Sequence, residues 1–206
     1  MGIVIGLIII VVLCIVGLFL INNVEGKIES DRISKVEELI SRHNIKISKR
    51  YDAMLGFTLI NDTENKCLWC IYGGSNTVKR MKYRDIMQVE LTEDDASISV
   101  TSRGSQLGGA IVGGALAGGV GAVIGGLSGK QTQKRTVKSI KLVITLDDLD
   151  NPFFNIEFAR FPKPVETSNR EYIVAHQDAF TWFKLMEVII KRTEQEQAQG
   201  QTEIVQ

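Results

Sequence analysis

Between Tyr83 and Ser102 the chain reads "YRDIMQVELTEDDASISVTS", and most of this stretch alternates apolar with polar residues. The alternating apolar positions are Met87, Val89 and Leu91, followed by Ala96, Ile98 and Val100. A period of two is typical of β-strands with one buried face. The acidic residues 93–95 between the two runs are typical of a turn. The stretch therefore predicts two antiparallel strands joined by a short turn.

The same alternation continues on both sides of this pair. Upstream come Leu55, Phe57 and Leu59, then a polar turn at 61–65, then a strand from Cys67 to Tyr72. Downstream come Ile140, Leu142, Ile144 and Leu146, a turn at 147–152, then Phe154, Ile156 and Phe158. From about Ser168 apolar residues return every three or four positions, which indicates an amphipathic helix. We therefore expect an α+β fold with six or seven antiparallel strands and a closing α-helix.

The amino-terminal run from Gly2 to Ile21 carries no charged residue. As a helix, about 20 residues span roughly 30 Å, the thickness of a bilayer core. A cleaved signal peptide is the alternative, but the run has no basic n-region and no small-residue cleavage pattern. Basic residues follow the run and none precedes it, which predicts a retained anchor with its amino terminus outside and the main domain in the cytoplasm. Asn22, Asn23 and Gly26 are expected to end this helix, and an amphipathic stalk helix is expected over 28–43.

A run of 26 uncharged residues, Gly104 to Gly129, interrupts the β pattern. Small residues recur in it every four positions, at Gly109, Gly113, Ala117, Gly121, Gly125 and Gly129. On a helix this spacing makes a flat surface that lets a second helix approach closely, as in membrane helix pairs. In water each glycine costs a helix about 1 kcal/mol relative to alanine. The spacing therefore favours a glycine-zipper segment at a membrane.

The predicted sheet limits the path of this segment, because strands on both sides of it must lie on the same side of a bilayer. Two full crossings would need about 40 residues. We therefore expect a hairpin of two half-length helices, 106–117 and 120–128, which dips into one leaflet or packs against the amino-terminal span. A mobile surface loop and a pore-forming element are the alternatives. A phosphate-binding loop is excluded, because Ile124 stands where that motif needs glycine.

Seven basic residues are candidates for contact with the headgroups of anionic lipids. Three of them alternate along a predicted strand and four follow the glycine-rich segment: Arg80, Lys82 and Arg84, then Lys130, Lys134, Arg135 and Lys138. Each basic residue near an anionic leaflet contributes about 1 kcal/mol. For the first three, an ordinary solvated strand face is the alternative.

Other chemistry finds little support in the sequence. The 24 basic and 24 acidic residues balance, which argues against a bulk attraction to nucleic acid. Cys67 and Cys70 have no second pair of ligands at zinc-site spacing, and we expect both to be buried core residues. No motif places His43 or His176 beside a nucleophile. We therefore expect no metal, no cofactor and no enzymatic activity.

The order of elements resembles the pleckstrin-homology-like barrel of bacterial membrane-anchored proteins of unknown function, with a glycine-zipper insert. The resemblance rests on Tyr83–Ser102, the glycine-rich insert, the run "SIKLVITLDDLDNPFFNIEF" from Ser139 to Phe158, and the closing helix. It implies binding, because such barrels serve mostly as adaptors for lipid headgroups or proteins.

Together these expectations divide the chain into five parts. They are an anchor at 1–22, a stalk helix at 23–44, a domain at 45–102 and 136–193, an insert at 103–135 and a disordered tail at 194–206. The function expected is that of a non-enzymatic scaffold at the bacterial inner membrane. Its partners would be anionic lipids, a second copy or another protein. A membrane-permeabilising effector is the first alternative, and a protein-binding adaptor without a lipid role is the second.

Overall fold

The computed structural model describes residues 2–53, 55–104 and 135–204, without the side chains of 2–11, 17–26 and 201–204. The glycine-rich segment and its predicted hairpin, with Lys130 and Lys134, lie outside the described residues. The chain forms two compact units. The first comprises Met1–Asn65 and Trp69–Lys79, and the second comprises Lys66–Leu68 and Arg80–Gln206.

Two helices and eight strands are found among these residues, with a short 3₁₀ helix between β4 and β5. In chain order they are α1 Gly2–Arg42, β1 Lys49–Asp52, β2 Phe57–Asp62, β3 Cys67–Tyr72, β4 Thr77–Lys82, the 3₁₀ helix Tyr83–Asp85, β5 Ile86–Glu93, β6 Ala96–Ser102, β7 Thr136–Leu146, β8 Phe153–Glu166 and α2 Arg170–Ile204. They build two sheets, with strand orders β1-β2-β3-β4 and β6-β5-β7-β8. The α+β fold is thus confirmed. The additional strand is β1, and Leu55 lies exposed before β2 rather than on it.

The amino-terminal helix corrects one expectation, since α1 runs without interruption from Gly2 to Arg42. Asn22, Asn23 and Gly26 do not end it. Asparagine and glycine lower helix propensity by about 1 kcal/mol or less each, whereas proline, which removes a backbone donor, is absent from this stretch. Within the part of the chain that the structure describes, no helix is both long and apolar enough to cross a membrane.

In the first unit, the last turns of α1 pack against the first sheet. Val36, Leu39 and Ile40 are buried at helical spacing, and the His43 ring lies 5.7 Å from the Trp69 ring. Of the apolar stripe expected in the stalk, Val36, Leu39 and Ile40 are therefore buried, whereas Ile28 and Ile33 are exposed.

Two turns of the first unit are fixed by close contacts. Gly73, between β3 and β4, lies so near α1 that a Cβ there would stand 3.0 Å from the Arg32 carbonyl oxygen and 3.0 Å from Val36 Cγ2. Between β2 and β3, the buried Asp62 carboxylate accepts hydrogen bonds from the backbone N–H groups of Lys46, at 3.1 Å, and Asn65, at 2.9 Å.

In the second unit, α2 packs across the second sheet. Its buried positions recur every three or four residues at Tyr172, Ala179, Trp182, Phe183, Met186 and Ile190. The strands contribute inward residues at every second position, including Leu91, Leu142 and Ile156. This core confirms the predicted closing helix and the alternation in β7 and β8. In β6, by contrast, the expected apolar positions Ala96, Ile98 and Val100 are exposed or half-buried, and Thr101 is the buried residue.

The closing helix is longer than expected. It continues to Ile204, so the part of the tail up to that residue is helical rather than disordered. The sequence from 194 onwards is polar, but it is rich in Glu and Gln, which are good helix formers. Polarity alone was therefore a poor guide to its conformation.

The second sheet separates the two ends of the glycine-rich segment. Strands β6 and β7 both pair antiparallel with β5, on its two sides, so β6 and β7 run parallel to each other. Ser102 at the end of β6 lies opposite Gln88, whereas Ile140, four residues into β7, lies opposite Glu93. From the level of Ser102 to the level of Ile140 is five residues along β5, and from Ile140 back to Thr136 is four residues along β7. At about 3.3 Å per residue, Ser102 and Thr136 therefore lie roughly 30 Å apart along the strand direction. The segment therefore leaves and rejoins the domain at opposite ends of the sheet.

Candidate functional site: the two ends of the glycine-rich segment

The downstream end of the segment joins a buried polar cluster centred on Glu93. The side chain of Glu93 is only 2% exposed. Its Oε2 accepts a hydrogen bond from Arg135 Nη2, and its Oε1 accepts one from Tyr172 Oη at 2.8 Å. His176 Nε2 lies 3.6 Å from the same Oε1. We call these four residues the Glu93 cluster.

Each member of the Glu93 cluster is placed by its own element. Glu93 continues the inward alternation of Val89 and Leu91 on β5, so its carboxylate points toward α2. Tyr172 and His176 lie one turn apart on α2, and their rings stack with centroids 5.5 Å apart. Arg135 precedes β7, and its carbonyl oxygen accepts a hydrogen bond from the Thr167 N–H.

Burial and charge act together in this cluster. Burial, followed by the hydrogen bond to Glu93 and the nearby negative charge, raises the pKa of Tyr172 above its usual value, so the phenol stays protonated and donates. A buried carboxylate is tolerated when it is paired and hydrogen-bonded. The cluster therefore holds the chain firmly where it leaves the glycine-rich segment.

The upstream end of the segment is attached to the other end of α2. The Gly104 N–H donates to Glu194 Oε1. Gly104 has a φ of +74°, a left-handed conformation that glycine adopts without strain. Just before it, Arg103 donates from its backbone N–H to the Met87 carbonyl oxygen and from Nη2 to the Tyr83 carbonyl oxygen.

Helix α2 gives a second measure of the distance between the two ends. The upstream contact is at Glu194 and the downstream contacts are at Tyr172 and His176. The intervening 18 to 22 residues correspond to roughly 30 Å at a rise of 1.5 Å each. This agrees with the separation measured along the strands. The predicted hairpin between these two ends lies outside the described residues.

The basic residues proposed for lipid contact do not form one patch. Arg80 and Lys82 lie on β4, but Arg84 lies in the 3₁₀ helix, where strand alternation no longer applies. Arg80 Nε donates to Cys67 Sγ at 3.1 Å, and Arg84 Nε lies 3.5 Å from Asp85 Oδ1. The prediction that these three side chains share one strand face is therefore wrong for Arg84.

The basic residues that follow the segment lie at the far end of the sheet. Lys138 is exposed near the start of β7, and Arg135 is engaged with Glu93. Ile86, next to the 3₁₀ helix, and Glu93 lie seven residues apart on β5. At about 3.3 Å per residue, this separates the two ends of the strand by about 23 Å. The domain thus offers two separate basic regions.

Cys67 and Cys70 are both buried and unlinked, as predicted. Burial raises the pKa of the Cys70 thiol to about 12. Among residues 2–53, 55–104 and 135–204, no group of three or more His, Cys, Asp or Glu side chains is arranged to hold a metal ion.

Sequence reasoning missed the Glu93 cluster. Glu93 was grouped with the acidic turn, although only Asp94 and Asp95 adopt left-handed turn conformations. The available signal was the alternation itself, which places residue 93 on the inward face after Val89 and Leu91. His176 was set aside because no sequence motif links it to a residue 83 positions earlier.

Comparison with known proteins identifies the class to which this fold belongs. Residues 43–160 match the family described as glycine zipper containing PH domain. The match covers more than half of the chain, and the chain belongs to this family. The resemblance seen in the sequence is thereby confirmed.

Two relatives from one phage lineage are similar to this chain. One is the immunity protein of Bacillus phage SPbeta, 32% identical over 118 residues, which are 53% of this chain and 56% of the relative. The other is an uncharacterised membrane protein derived from the SPbeta prophage of Bacillus subtilis, 32% identical over 118 residues, 53% of this chain and 50% of the relative. The chain spans about half the length of these curated relatives. No solved structure matches it.

Proposed function

We propose that this chain is a non-enzymatic binding or scaffold protein of the bacterial inner membrane. In this proposal an amino-terminal anchor at 1–22 holds the PH domain on the cytoplasmic side. The glycine-rich segment supplies a helix-packing surface that docks the domain at anionic lipid or joins copies of it. A protein partner without a lipid role remains the alternative use of the domain.

The observation that carries the proposal is the continuity of α1. The uncharged run from Gly2 to Ile21 and the buried residues Val36, Leu39 and Ile40 belong to one helix. In the sequence the run has 20 uncharged residues, the length of a bilayer core, and most of its side chains lie outside those that the structure describes. The membrane protein named among the relatives points the same way. The Glu93 cluster supports a structural rather than a catalytic role, because its polar groups are engaged with one another.

The anchor is tested by placing charge in the apolar run of the full-length chain. Ile9→Arg together with Val12→Arg should move the protein from the washed membrane fraction to the soluble fraction, because each arginine at a bilayer centre costs about 3 kcal/mol. Ile28→Arg is the matched control, since Ile28 is an exposed position on the same helix beyond the run. Retention of the double variant in washed membranes would contradict the proposed anchor. Protease treatment of spheroplasts tests the orientation, with protection of the domain expected.

Lipid contact is tested separately in the Ile9→Arg, Val12→Arg background. Arg84→Glu should weaken binding to anionic vesicles several-fold, since each basic residue near the surface contributes about 1 kcal/mol. Lys163→Glu, at another exposed position, should change binding much less. Equal effects of the two changes, or equal binding to neutral vesicles, would favour a protein partner.

An immunity role is the second candidate, favoured by the similarity to the phage immunity protein. Bacteria producing the full chain should then survive challenge by a related phage better than bacteria producing the anchor-defective variant. Equal survival of both strains would remove this candidate.

A further inference from the structure

Strand β3 runs along the last part of α1, in the direction opposite to the helix. Trp69 lies beside His43, and their rings are 5.7 Å apart. Four residues after Trp69, Gly73 lies against Arg32 and Val36. Four residues of strand extend about 13 Å, and the seven to eleven residues of helix over the same interval rise about 10 to 17 Å. Strand β3 therefore leads back along α1 toward its apolar run.

Strand β1 runs in the same direction as β3. Arg50 forms an ion pair with Glu37. Two residues later, Asp52 is close enough to Arg32 for their charges to interact. The turns that follow β1 and β3 therefore lie at the same end of the first unit, the end nearer the apolar run. The β2–β3 turn lies at the opposite end, where Asp62 is hydrogen-bonded to the chain just after α1.

The rise of α1 gives the height of this end above a bilayer that holds the apolar run. Arg32 is 11 residues beyond Ile21, which is about 16 Å along the helix. From the level of Arg32, the three residues from Asp52 to Leu55 extend up to about 10 Å further toward the run. The polar layer on each side of a bilayer is roughly 5 to 8 Å deep. With the helix upright, Leu55 therefore reaches the headgroup layer.

The composition of the two turns also suits a lipid surface. The β1–β2 turn at 53–56 reads "AMLG" and the β3–β4 turn at 73–76 reads "GGSN", so neither carries a charge. Leu55, in the first of them, is 47% exposed. The β2–β3 turn at the opposite end carries Asp62 and Glu64. Because an anionic surface repels carboxylates and its apolar interior favours an exposed leucine, the uncharged end is the one that matches it.

Aromatic side chains lie directly behind the two turns. The Phe57 ring is 6.2 Å from the ring of Tyr51 and 6.1 Å from that of Tyr72. Both tyrosines are half-buried. Tyrosine is enriched at membrane interfaces, because its ring is apolar and its hydroxyl group meets water. These three rings therefore add to the match between this end of the first unit and a bilayer surface.

From these observations we propose that the end of the first unit formed by the β1–β2 and β3–β4 turns contacts the bilayer surface, with Leu55 as its apolar anchor. The contact is uncharged and is distinct from the basic residues considered for lipid headgroups. The inference rests on the proposed function, because the height of Leu55 is measured from a membrane-embedded apolar run. It goes further by assigning which end of the first unit faces the membrane.

The first test measures how far the membrane covers position 55. Full-length Leu55→Cys, in a Cys14→Ser background, is held in nanodiscs of phosphatidylcholine and phosphatidylglycerol, which leave both membrane faces open to reagent. It should react with a water-soluble maleimide roughly tenfold more slowly than the same variant carrying Ile9→Arg and Val12→Arg free in solution, if the membrane covers the position about nine-tenths of the time. Glu64→Cys, at an exposed position on the β2–β3 turn, should react equally fast in both settings. Equal rates for Leu55→Cys in the two settings would overturn the proposal.

A fluorescence experiment identifies what covers Leu55. A nitrobenzoxadiazole label attached to Leu55→Cys before reconstitution should be quenched by lipids that carry a nitroxide at the headgroup or near the top of the acyl chain. The same label on Glu64→Cys should not be quenched. Thermal melts establish that the labelled variants are folded. A position that is protected from maleimide but not quenched would be covered by a second copy or another protein, and this result would overturn the proposal.

Flotation of the full-length chain with vesicles of the same lipids separates this inference from the proposed function. A chain that does not float overturns the proposed anchor and this inference with it. A chain that floats while Leu55→Cys stays reactive and unquenched overturns this inference alone.

Discussion

Gly73 is the position at which the structure makes its sharpest prediction about stability. A Cβ there would stand 2.9 Å from Arg32 Cγ, 3.0 Å from the Arg32 carbonyl oxygen and 3.0 Å from Val36 Cγ2. The arginine side chain can move, but the helix carbonyl and the buried Val36 cannot do so without shifting α1. Overpacking of this kind costs roughly 1 to 3 kcal/mol. We expect Gly73→Ala to lower the free energy of unfolding by an amount in this range.

The neighbouring glycine supplies the control. A Cβ at Gly74 would meet nothing within 4 Å, and its φ is not left-handed. Gly74→Ala should therefore change stability by no more than about 0.5 kcal/mol, and a small gain is possible because alanine restricts the unfolded chain. Urea titration of both variants measures the difference in their free energies of unfolding, compared at equal slopes of that free energy against urea concentration. Equal stability of the Gly73→Ala and Gly74→Ala variants would contradict the close packing of α1 on the β3–β4 turn. A double-mutant cycle with Val36→Ala should show a favourable coupling between the two changes.

Three further predictions concern the buried polar groups and the thiols. Tyr172→Phe should destabilise the protein by about 1 to 3 kcal/mol, because it leaves the Glu93 carboxylate without one donor; urea titration measures it, and a loss near zero would contradict the cluster geometry. Burial opposes ionisation of Asp62, but its hydrogen bonds outweigh this and lower its pKa below 3.8, so the stability it contributes is present above pH 3.8 and is lost as the pH falls further. In the Asp62→Asn variant the melting temperature should fall less steeply as the pH decreases below 4. An unchanged pH dependence would contradict the hydrogen bonds to the Asp62 carboxylate. In the native protein Cys70 should not react with thiol reagents, because burial raises the pKa of its thiol to about 12, and it should react once the protein is unfolded in urea; rapid labelling of Cys70 in the native protein, detected by mass spectrometry, would contradict this.

Periodicity in the sequence was sufficient for most of the fold. The alternation in β5, β7 and β8 and the helical spacing around Trp182 follow from the need to bury one face, and that need is local in the sequence. The ends of the helices and strands were harder to predict from the sequence. Arg84 continues a pattern of basic residues at every second position, but the chain turns into a 3₁₀ helix there. Nothing in the spacing of charges reports such a change.

The candidate site was harder to predict because it depends on long-range pairing. Glu93 and Tyr172 are 79 residues apart, and only the register of β5 with β7 and the packing of α2 bring them together. The separation of the ends of the glycine-rich segment has the same origin. The sequence indicates that strands on both sides share a sheet, but the order β6-β5-β7-β8 is needed to show that they flank β5 in parallel.

The unbroken course of α1 fixes the rotational phase between its apolar run and the turns that pack on the first sheet. A helix transmits orientation as well as distance, since each residue adds about 100° of turn and 1.5 Å of rise. One alanine inserted near Glu25 would rotate the apolar run by about 100° relative to the residues that pack on the first sheet, whereas seven inserted residues would nearly restore the phase. If the first unit must face its surroundings in one direction, its activity should vary periodically with the number of inserted residues rather than decline steadily with length.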